Sequence, residues 1–504
     1  MSFVSWGYFL FLACTLIIYY IFPHRFRWIV LLAASLVFCL LINVYSTAWL
    51  AATIVLTYCA AYAIARCTER GRRRGAKAIL ACSLVLLFGS LLVLKYLPLL
   101  FKKDLPLLLT KYLPPVPGGM WGRLEAASTA APFLASIANS IVMPVGISFY
   151  LFQVTGYLID LYGQKTALVR HFGHYSLAVS FFAKLSQGPI TPVAKLVSRF
   201  AEPVEIDPLK MRRGAVRILI GLVKKAVIAD RLAVVANNVF ADPSGVNAAG
   251  AAIGAVFYTL QLYADFAGYT DVAIGSAQLF GIELPENFRQ PYLARSIAEF
   301  WRRWHITLSD WLKKYVYIPL GGSRVSRGRW AFNILTVFLI SGVWHGSGLT
   351  FIVWGLLHGC YQVAGKMTSG PRTAVAARFP RGAKWLTDGL SVIVTFVLVS
   401  IAWIFFRADS MGTAMEMLAR LACGDWTFSL QQLAVEANEW WLSCVLIVLM
   451  VIADLVSERR PLLDLIEERA LPVRWLIYLA LLYLLIFFGI YGAVSAQSFI
   501  YVSF

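Results

Sequence analysis

Between Trp28 and Ala65 the chain runs for 38 residues without an aspartate, glutamate, lysine or arginine. A helix needs about 20 apolar residues to cross a bilayer core. The stretch therefore holds two crossings, with a turn expected near 43–46. Further uncharged runs occupy 1–22, 126–159 and 330–365. Hydrophobic residues make up 60% of the chain and charged residues 14%, against about 45–50% and 25% in soluble domains. That excess excludes a water-facing globular exterior, a disordered chain, a coiled coil and a small disulfide scaffold. The expected fold class is all-α: a polytopic membrane protein with roughly ten to twelve transmembrane helices plus re-entrant and interfacial pieces.

Charge sets the expected orientation. His24, Arg25 and Arg27 follow the first apolar run, which lacks a basic leader and a small-residue cleavage site, so it reads as an uncleaved span. Arg66, Arg70, Arg72, Arg73, Arg74 and Lys77 close the 28–65 stretch, and a fourth span is expected at about 78–94. By this count the N-terminus lies outside. Prolines and glycines crowd residues 98–132, which are expected to form an extramembrane loop. Residues 199–231 mix cations with apolar residues and suggest half-buried or interfacial helices. Later apolar runs are 389–406, 440–453 and 475–492. The formal charge of +19 fits basic loops beside anionic headgroups, and with no soluble basic domain it gives no ground for a nucleic-acid partner. The eight cysteines form no CxxC pair and HExxH is absent, so no metal site is expected. Small buried packing is their expected role.

Three segments carry candidate chemistry. The first is GVWHG, 342–346. His345 stands within 36 uncharged residues, where an ionisable group is costly and usually lines a cavity. Imidazole can take a proton near neutral pH; the competing reading is a histidine hydrogen-bonded to a neighbouring helix. Gly342 and Gly346 make a small-xxx-small pair that lets helices approach. GLLHG, 355–359, repeats the spacing with His358, read as packing or cavity wall, and 346–348 could divide the run into two helices. The second segment is 295–322. On a helix, Ile297, Phe300, Trp301, Trp304, Leu308, Trp311, Leu312 and Tyr315 form one apolar stripe. Arg302, Arg303, Lys313 and Lys314 lie away from it, on a basic face suited either to an anionic cofactor or to headgroups. Trp304 joins them as a cofactor-site candidate. His305 either orients a substrate or hydrogen-bonds within the fold, and Pro319, Gly321 and Gly322 end the helix. The third is 258–275, where Gln261, Asp265 and Asp271 line a polar tunnel or form a structural network. The tail, SFIYVSF at 498–504, either folds back on the protein or is a disordered end.

Taken together, GIELPENFRQPYLARSIAEFWRRWHITLSDWLKKYVYIPLGG (281–322), LQLYADFAGYTDVAIG and SGVWHGSGLTFIVWGLLHG resemble the bacterial membrane-bound O-acyltransferase family, in its alginate/peptidoglycan O-acetylation branch. The resemblance covers roughly residues 140–365. It implies a helical bundle around a funnel, with 1–97 as N-terminal spans, 133–366 as catalytic core and 367–504 as C-terminal spans and apolar tail. It maps the essential histidine to His345 and a second functional histidine to His305; Asn287, in PENFRQP, joins the polar site set. It implies acetyl-CoA as acyl donor, membrane lipid as surroundings, an extracytoplasmic SGNH-hydrolase-like partner, a polysaccharide acceptor and residence in a bacterial cytoplasmic membrane. Family chains often end in an FIYFQF-like hexapeptide whose tyrosine is proposed to carry the acyl group. Here Tyr501 is retained, while Val502 and Ser503 depart from the pattern. The competing functions are D-alanyl transfer of the teichoic-acid type, secondary transport of a small anion, and a non-catalytic scaffold.

Overall fold

The computed structural model describes residues 5–101, 143–370 and 384–491, with side chains described only to Tyr96 in the first segment. The rest of the expected Pro/Gly-rich loop and the tail with Tyr501 lie outside the described residues. Every regular element among the described residues is helical.

Helix α1 (Trp6–Ile21) opens at Ser5, whose side chain accepts the Tyr8 N–H. Helices α2 (His24–Ile42) and α3 (Val44–Glu69) divide the 38-residue apolar run at Asn43, whose side-chain oxygen accepts from the Tyr45 and Ser46 N–H groups. A cap of this kind contributes about 1 kcal/mol, and it places the turn where charge counting expects it. Helix α4 (Arg73–Phe101) follows a turn at Gly71 and continues through Pro98. Helices α5 (Ile147–Tyr162) and α6 (Phe172–Ser180) follow. Gly146, with φ 74, precedes α5; a Cβ there would lie 2.2 Å from the Leu185 carbonyl oxygen, so only glycine fits.

The remaining helices are α7 (Val193–Ala201), α8 (Pro208–Leu222), α9 (Asp230–Ala241), α10 (Ala248–Leu279), α11 (Ile297–Arg303), α12 (Ile306–Leu312), α13 (Arg327–His345), α14 (Leu349–Met367), α15 (Lys384–Arg407), α16 (Met411–Cys423), α17 (Ala437–Ser457), α18 (Leu462–Glu467) and α19 (Leu471–Phe488). The chain divides into two compact units, one of residues 32–186 and 192–197, the other of 1–31, 187–191 and 198–504. Within the first, the Tyr175 hydroxyl donates to Thr57 Oγ1 at 2.7 Å, tying α6 to α3. Within the second, the Tyr8 hydroxyl donates to Ser276 Oγ at 2.8 Å, so α1 packs on α10.

Among the described residues, six helices are long and apolar enough to cross a membrane: His24–Ile42, Val44–Glu69, Arg73–Tyr96, Lys384–Arg407, Ala437–Ser457 and Leu471–Phe488. This is fewer than the uncharged runs suggest. Helices α10, α13 and α14 are also long, but they carry Gln261, Asp265, Asn333, His345 and His358 into the protein interior. The outer faces of the six are apolar, as with Leu476, Leu479 and Phe487 of α19, which suits lipid. That also corrects the cysteine reading. Only Cys39 is buried; Cys14, Cys59, Cys82, Cys360 and Cys423 are exposed, because in lipid a thiol is tolerated on the outer face of an apolar helix.

Two segments depart from their expected form. Residues 208–241 are one helical rod whose middle, Val223–Ala229, is π-helical; Arg217, Lys225 and Arg231 are buried, Arg212, Arg213 and Lys224 half-buried and Lys210 exposed, so the half-buried reading fits better than the interfacial one. The Asp230 N–H reaches the Lys225 carbonyl. In an α-helix, residues five apart lie about 140° around the axis from one another; the wider turn brings the Lys225 and Asp230 side chains together at 2.7 Å. Helix α8 lies against α10 closely enough that a Cβ on Gly221 would stand 2.6 Å from the Gly268 carbonyl oxygen.

The second departure is 295–322, which is not one helix. It breaks after Arg303, and His305 sits in the left-handed region with φ 42. A non-glycine residue held there costs about 1–2 kcal/mol. A remote loop supplies the compensation: the Asn287 carbonyl accepts the Ile306 N–H at 2.9 Å, and Arg289 N–H donates to the Arg303 carbonyl at 2.9 Å. The apolar stripe nevertheless holds: Ile297, Phe300, Trp301, Trp304, Leu308, Trp311 and Leu312 are buried. Lys313–Tyr317 forms a further π turn, and positive φ at Gly321 and Gly322 ends the segment.

Candidate active site

Helices α13 and α14 form a hairpin hinged at 346–348, between His345 and Leu349. A Cβ on Gly342 would stand 2.4 Å from the Phe351 carbonyl oxygen, and one on Gly355 2.3 Å from that of Phe338. Gly342, of the expected Gly342/Gly346 pair, and Gly355 thus let two backbones touch, while Gly346 packs on the Phe351 ring. His345 is the final residue of α13. It is only 4% exposed. Its Nδ1 lies 2.7 Å from the Ser341 carbonyl, with Ser341 Oγ at 3.4 Å. A carbonyl can only accept, so Nδ1 carries the hydrogen and the neutral ring keeps its lone pair on Nε2. The C-terminal end of α13 carries partial negative charge, which favours the imidazolium formed when Nε2 takes a proton. The ring is enclosed edge-to-face by Trp344 at 4.6 Å, Trp354 at 4.7 Å and Phe406 at 5.6 Å between centroids.

His305 comes to the same place from a different element. Its ring lies 6.4 Å from that of Trp344, the neighbour of His345, and meets Phe266 at 4.9 Å with perpendicular planes. His305 Nδ1 lies 3.1 Å from Asn287 Oδ1. The same oxygen accepts from the Thr307 backbone N–H at 3.2 Å and the Thr307 hydroxyl at 2.9 Å. A backbone N–H can only donate, which identifies the Asn287 atom as oxygen and makes His305 Nδ1 a donor. Burial first, and then the nearby His345, hold the His305 pKa well below the ordinary imidazole value. It is a neutral ring held in one tautomer.

His358 is fully buried, and its Nδ1 accepts from the Trp301 indole at 3.3 Å. Trp354 bridges it to His345, with ring centroids 5.3 Å from His358. The three histidines predicted from sequence are therefore linked through two indoles, Trp344 and Trp354.

The other predicted residues divide. Asp265 pairs with Lys225 at 2.7 Å, and Lys225 also holds Asp230. Asp271 pairs with Arg217 at 3.0 Å and Lys224 at 2.8 Å. Gln261 is buried on the same helix. Arg302, Lys313 and Lys314 are exposed, with Lys314 4.9 Å over the Tyr315 ring. Arg303 is engaged with Glu299 at 2.7 Å and Glu458 at 2.6 Å, and the Arg303 hydrogen bonds hold the Glu458 carboxyl below its usual range. Trp304 is set apart from these cations, in the core against Phe288 and Trp403 at 5.0 and 5.1 Å. Trp354, Trp403 and Phe406 were not singled out by sequence, since an aromatic residue in an apolar run reads as core. Lys225 was equally hidden, as both its partners are out of α-helical register.

A model of the membrane-bound O-acyltransferase family matches residues 171–407, which contain all three histidines. The "probable alginate O-acetylase" of Azotobacter vinelandii is 38% identical over 313 residues, covering 61% of this chain and 59% of that protein. The peptidoglycan O-acetyltransferase of Helicobacter pylori is 37% identical over 326 residues, 60% of each chain. The teichoic acid D-alanyltransferase of Bacillus subtilis is 32% identical over 161 residues, 30% of this chain and 39% of that one. The matched region thus spans 59% and 60% of the first two relatives' length.

Proposed function

We propose that this chain is a membrane-bound O-acyltransferase that moves an acetyl group from cytoplasmic acetyl-CoA toward a polysaccharide outside a bacterial cytoplasmic membrane. What supports the reading is His345, a buried imidazole whose Nδ1 is tied to the Ser341 carbonyl, which puts the basic lone pair of the neutral ring on Nε2. The acetylating relatives support acetyl as the group moved and a polysaccharide as the acceptor.

His345 Nε2 takes the proton of the attacking hydroxyl, and neutral His305, oriented by Asn287, positions the reacting groups. The exposed Arg302, Lys313 and Lys314 meet the phosphates of the donor. Tyr501 is the first acceptor, and an SGNH-hydrolase-like partner on the outer face completes the delivery. A phenol near 10 and an imidazole near 6.5 differ by about 3.5 pKa units, roughly 5 kcal/mol. A complete proton transfer before attack is therefore expensive, and the proton moves as the new C–O bond forms. Excluding bulk water from this aromatic site protects the thioester from hydrolysis.

The test is acyl transfer from radiolabelled acetyl-CoA in membranes that contain this chain and its neighbouring envelope proteins. Label should reach polysaccharide, and mass spectrometry should find an acetyl group on the Tyr501 peptide. Undiminished glycan labelling by Tyr501→Phe would exclude the tyrosine step. Transfer of D-alanine but not acetate would favour the reading suggested by the Bacillus subtilis relative.

A further inference from the structure

We propose that the N–H groups of Trp354, Trp403 and His358 form a donor pocket for the carbonyl oxygen of the acyl thioester, and hold the negative charge that oxygen gains during transfer. The proposal rests on the acyltransferase reading above. All three side chains are fully buried. Trp354 Nε1, Trp403 Nε1 and His358 Nε2 find no hydrogen-bond partner among the described residues. An indole N–H can only donate. Because His358 Nδ1 accepts from the Trp301 indole, the His358 ring carries its hydrogen on Nε2. The three unsatisfied atoms are therefore all donors.

Their rings also adjoin one another. Ring centroids are 5.3 Å apart for Trp354 and His358, 5.6 Å for Trp354 and Trp403, and 5.9 Å for His358 and Trp403. Trp354 is in turn 4.7 Å from His345. A buried donor left unpaired costs about 1–3 kcal/mol, and native proteins keep few. Three in one cluster call for an acceptor from outside the chain. A bound water would bring two hydrogens of its own, for which these rings offer no acceptor. A phosphate or carboxylate would call for a cation, and the three donors are neutral. A carbonyl oxygen, which accepts and never donates, fits.

In the transfer step the acceptor hydroxyl oxygen bonds to the thioester carbonyl carbon while its proton passes to His345. The carbonyl π pair moves onto oxygen, facing the three N–H groups. It then returns, the C–S bond breaks, and sulfur leaves with its electron pair and receives the proton from His345. The products are the O-acyl acceptor and CoA thiol. Donors aimed at that transient charge act on kcat more than on KM.

The experiment places 3-benzothienylalanine, an indole analogue with sulfur in place of N–H, at Trp354 or Trp403 of the full chain, with Trp354→Phe and Trp403→Phe alongside. Released CoA is measured with acetyl-CoA as substrate. Each analogue variant should lose about 100-fold in kcat, with KM within about threefold. The infrared carbonyl band of bound [1-13C]acetyl-CoA should move toward its frequency in an apolar solvent. Binding of S-ethyl-CoA, a thioether without a carbonyl, should not change. A kcat within about threefold of wild type, an unmoved carbonyl band, or equal weakening of thioether binding would overturn the donor pocket. Failure of the wild-type protein to release CoA would instead count against the acyltransferase reading itself.

Discussion

Helices α8–α10 and helices α11–α15 both carry ionisable side chains into the protein interior, and they compensate them differently. In the first region every buried cation named above meets a carboxylate: Arg217 with Asp271 and Glu286, Lys224 with Asp271, Lys225 with Asp230 and Asp265. In the second, three histidines sit among indole and phenyl rings, with hydrogen bonds to neutral atoms at Ser341, Asn287 and Trp301. Charges paired in this way are fully engaged and act as structure. A neutral imidazole with a defined tautomer keeps one lone pair and one N–H, which an ion-paired group does not offer. The two regions should therefore separate by phenotype, one losing folded protein and the other losing turnover.

The largest separation is expected at Lys225. Lys225→Met leaves Asp230 and Asp265 without their cation, and removing one partner of a buried ion set costs about 3–5 kcal/mol. Yield of folded protein by gel filtration should fall severely, while turnover per folded molecule stays close to wild type. A variant that folds well but is inactive would move Lys225 into the chemical region. Next is Gly355→Val. Its side chain would meet the Phe338 carbonyl at the 2.3 Å approach, prising α13 from α14 and displacing His345. Activity should drop more than tenfold by the loss of near-attack geometry, with a smaller loss of folded protein.

Asn287→Leu is expected to be milder. It removes the acceptor shared by His305 and Thr307, at about 1–3 kcal/mol for the donors left unpaired. The kcat should fall while KM for acetyl-CoA changes little, and Asn287→Asp, which keeps the acceptor oxygen, should recover part of it. The smallest effect concerns pH. His305 is held neutral with its pKa well below the ordinary value, so it stays uncharged through the ordinary imidazole range near about 6.5. The acid limb of the rate–pH profile should therefore have a slope of no more than about one. A slope of two would show His305 ionising as well.

Much of the second region was legible in the sequence. His345 stands out because an ionisable residue occurs within 36 uncharged ones, and the Gly342/Gly346 pair announces a close helix approach. The apolar stripe from Ile297 to Leu312 was also readable, since burial follows periodicity whether or not the helix is continuous. The break at His305 was not, because its cause is Asn287, eighteen residues earlier and on another element. The ion-paired region was the least legible. Its cations read as half-buried or interfacial, but periodicity says nothing about carboxylates arriving from α10, and a π turn leaves no spacing signature. Trp354 and Trp403 were hidden for a further reason: an indole that packs and an indole that donates look the same in an apolar run.

The proposed proton transfer resides at His345, and the ion-paired helices hold the fold around it. The direct test measures folded yield and CoA release from acetyl-CoA for His345→Gln and Lys225→Met side by side. His345→Gln should elute as wild type and lose at least about 100-fold in turnover, while Lys225→Met should be scarce but active per folded molecule. A well-folded His345→Gln protein that releases CoA at the wild-type rate would place the proton transfer elsewhere.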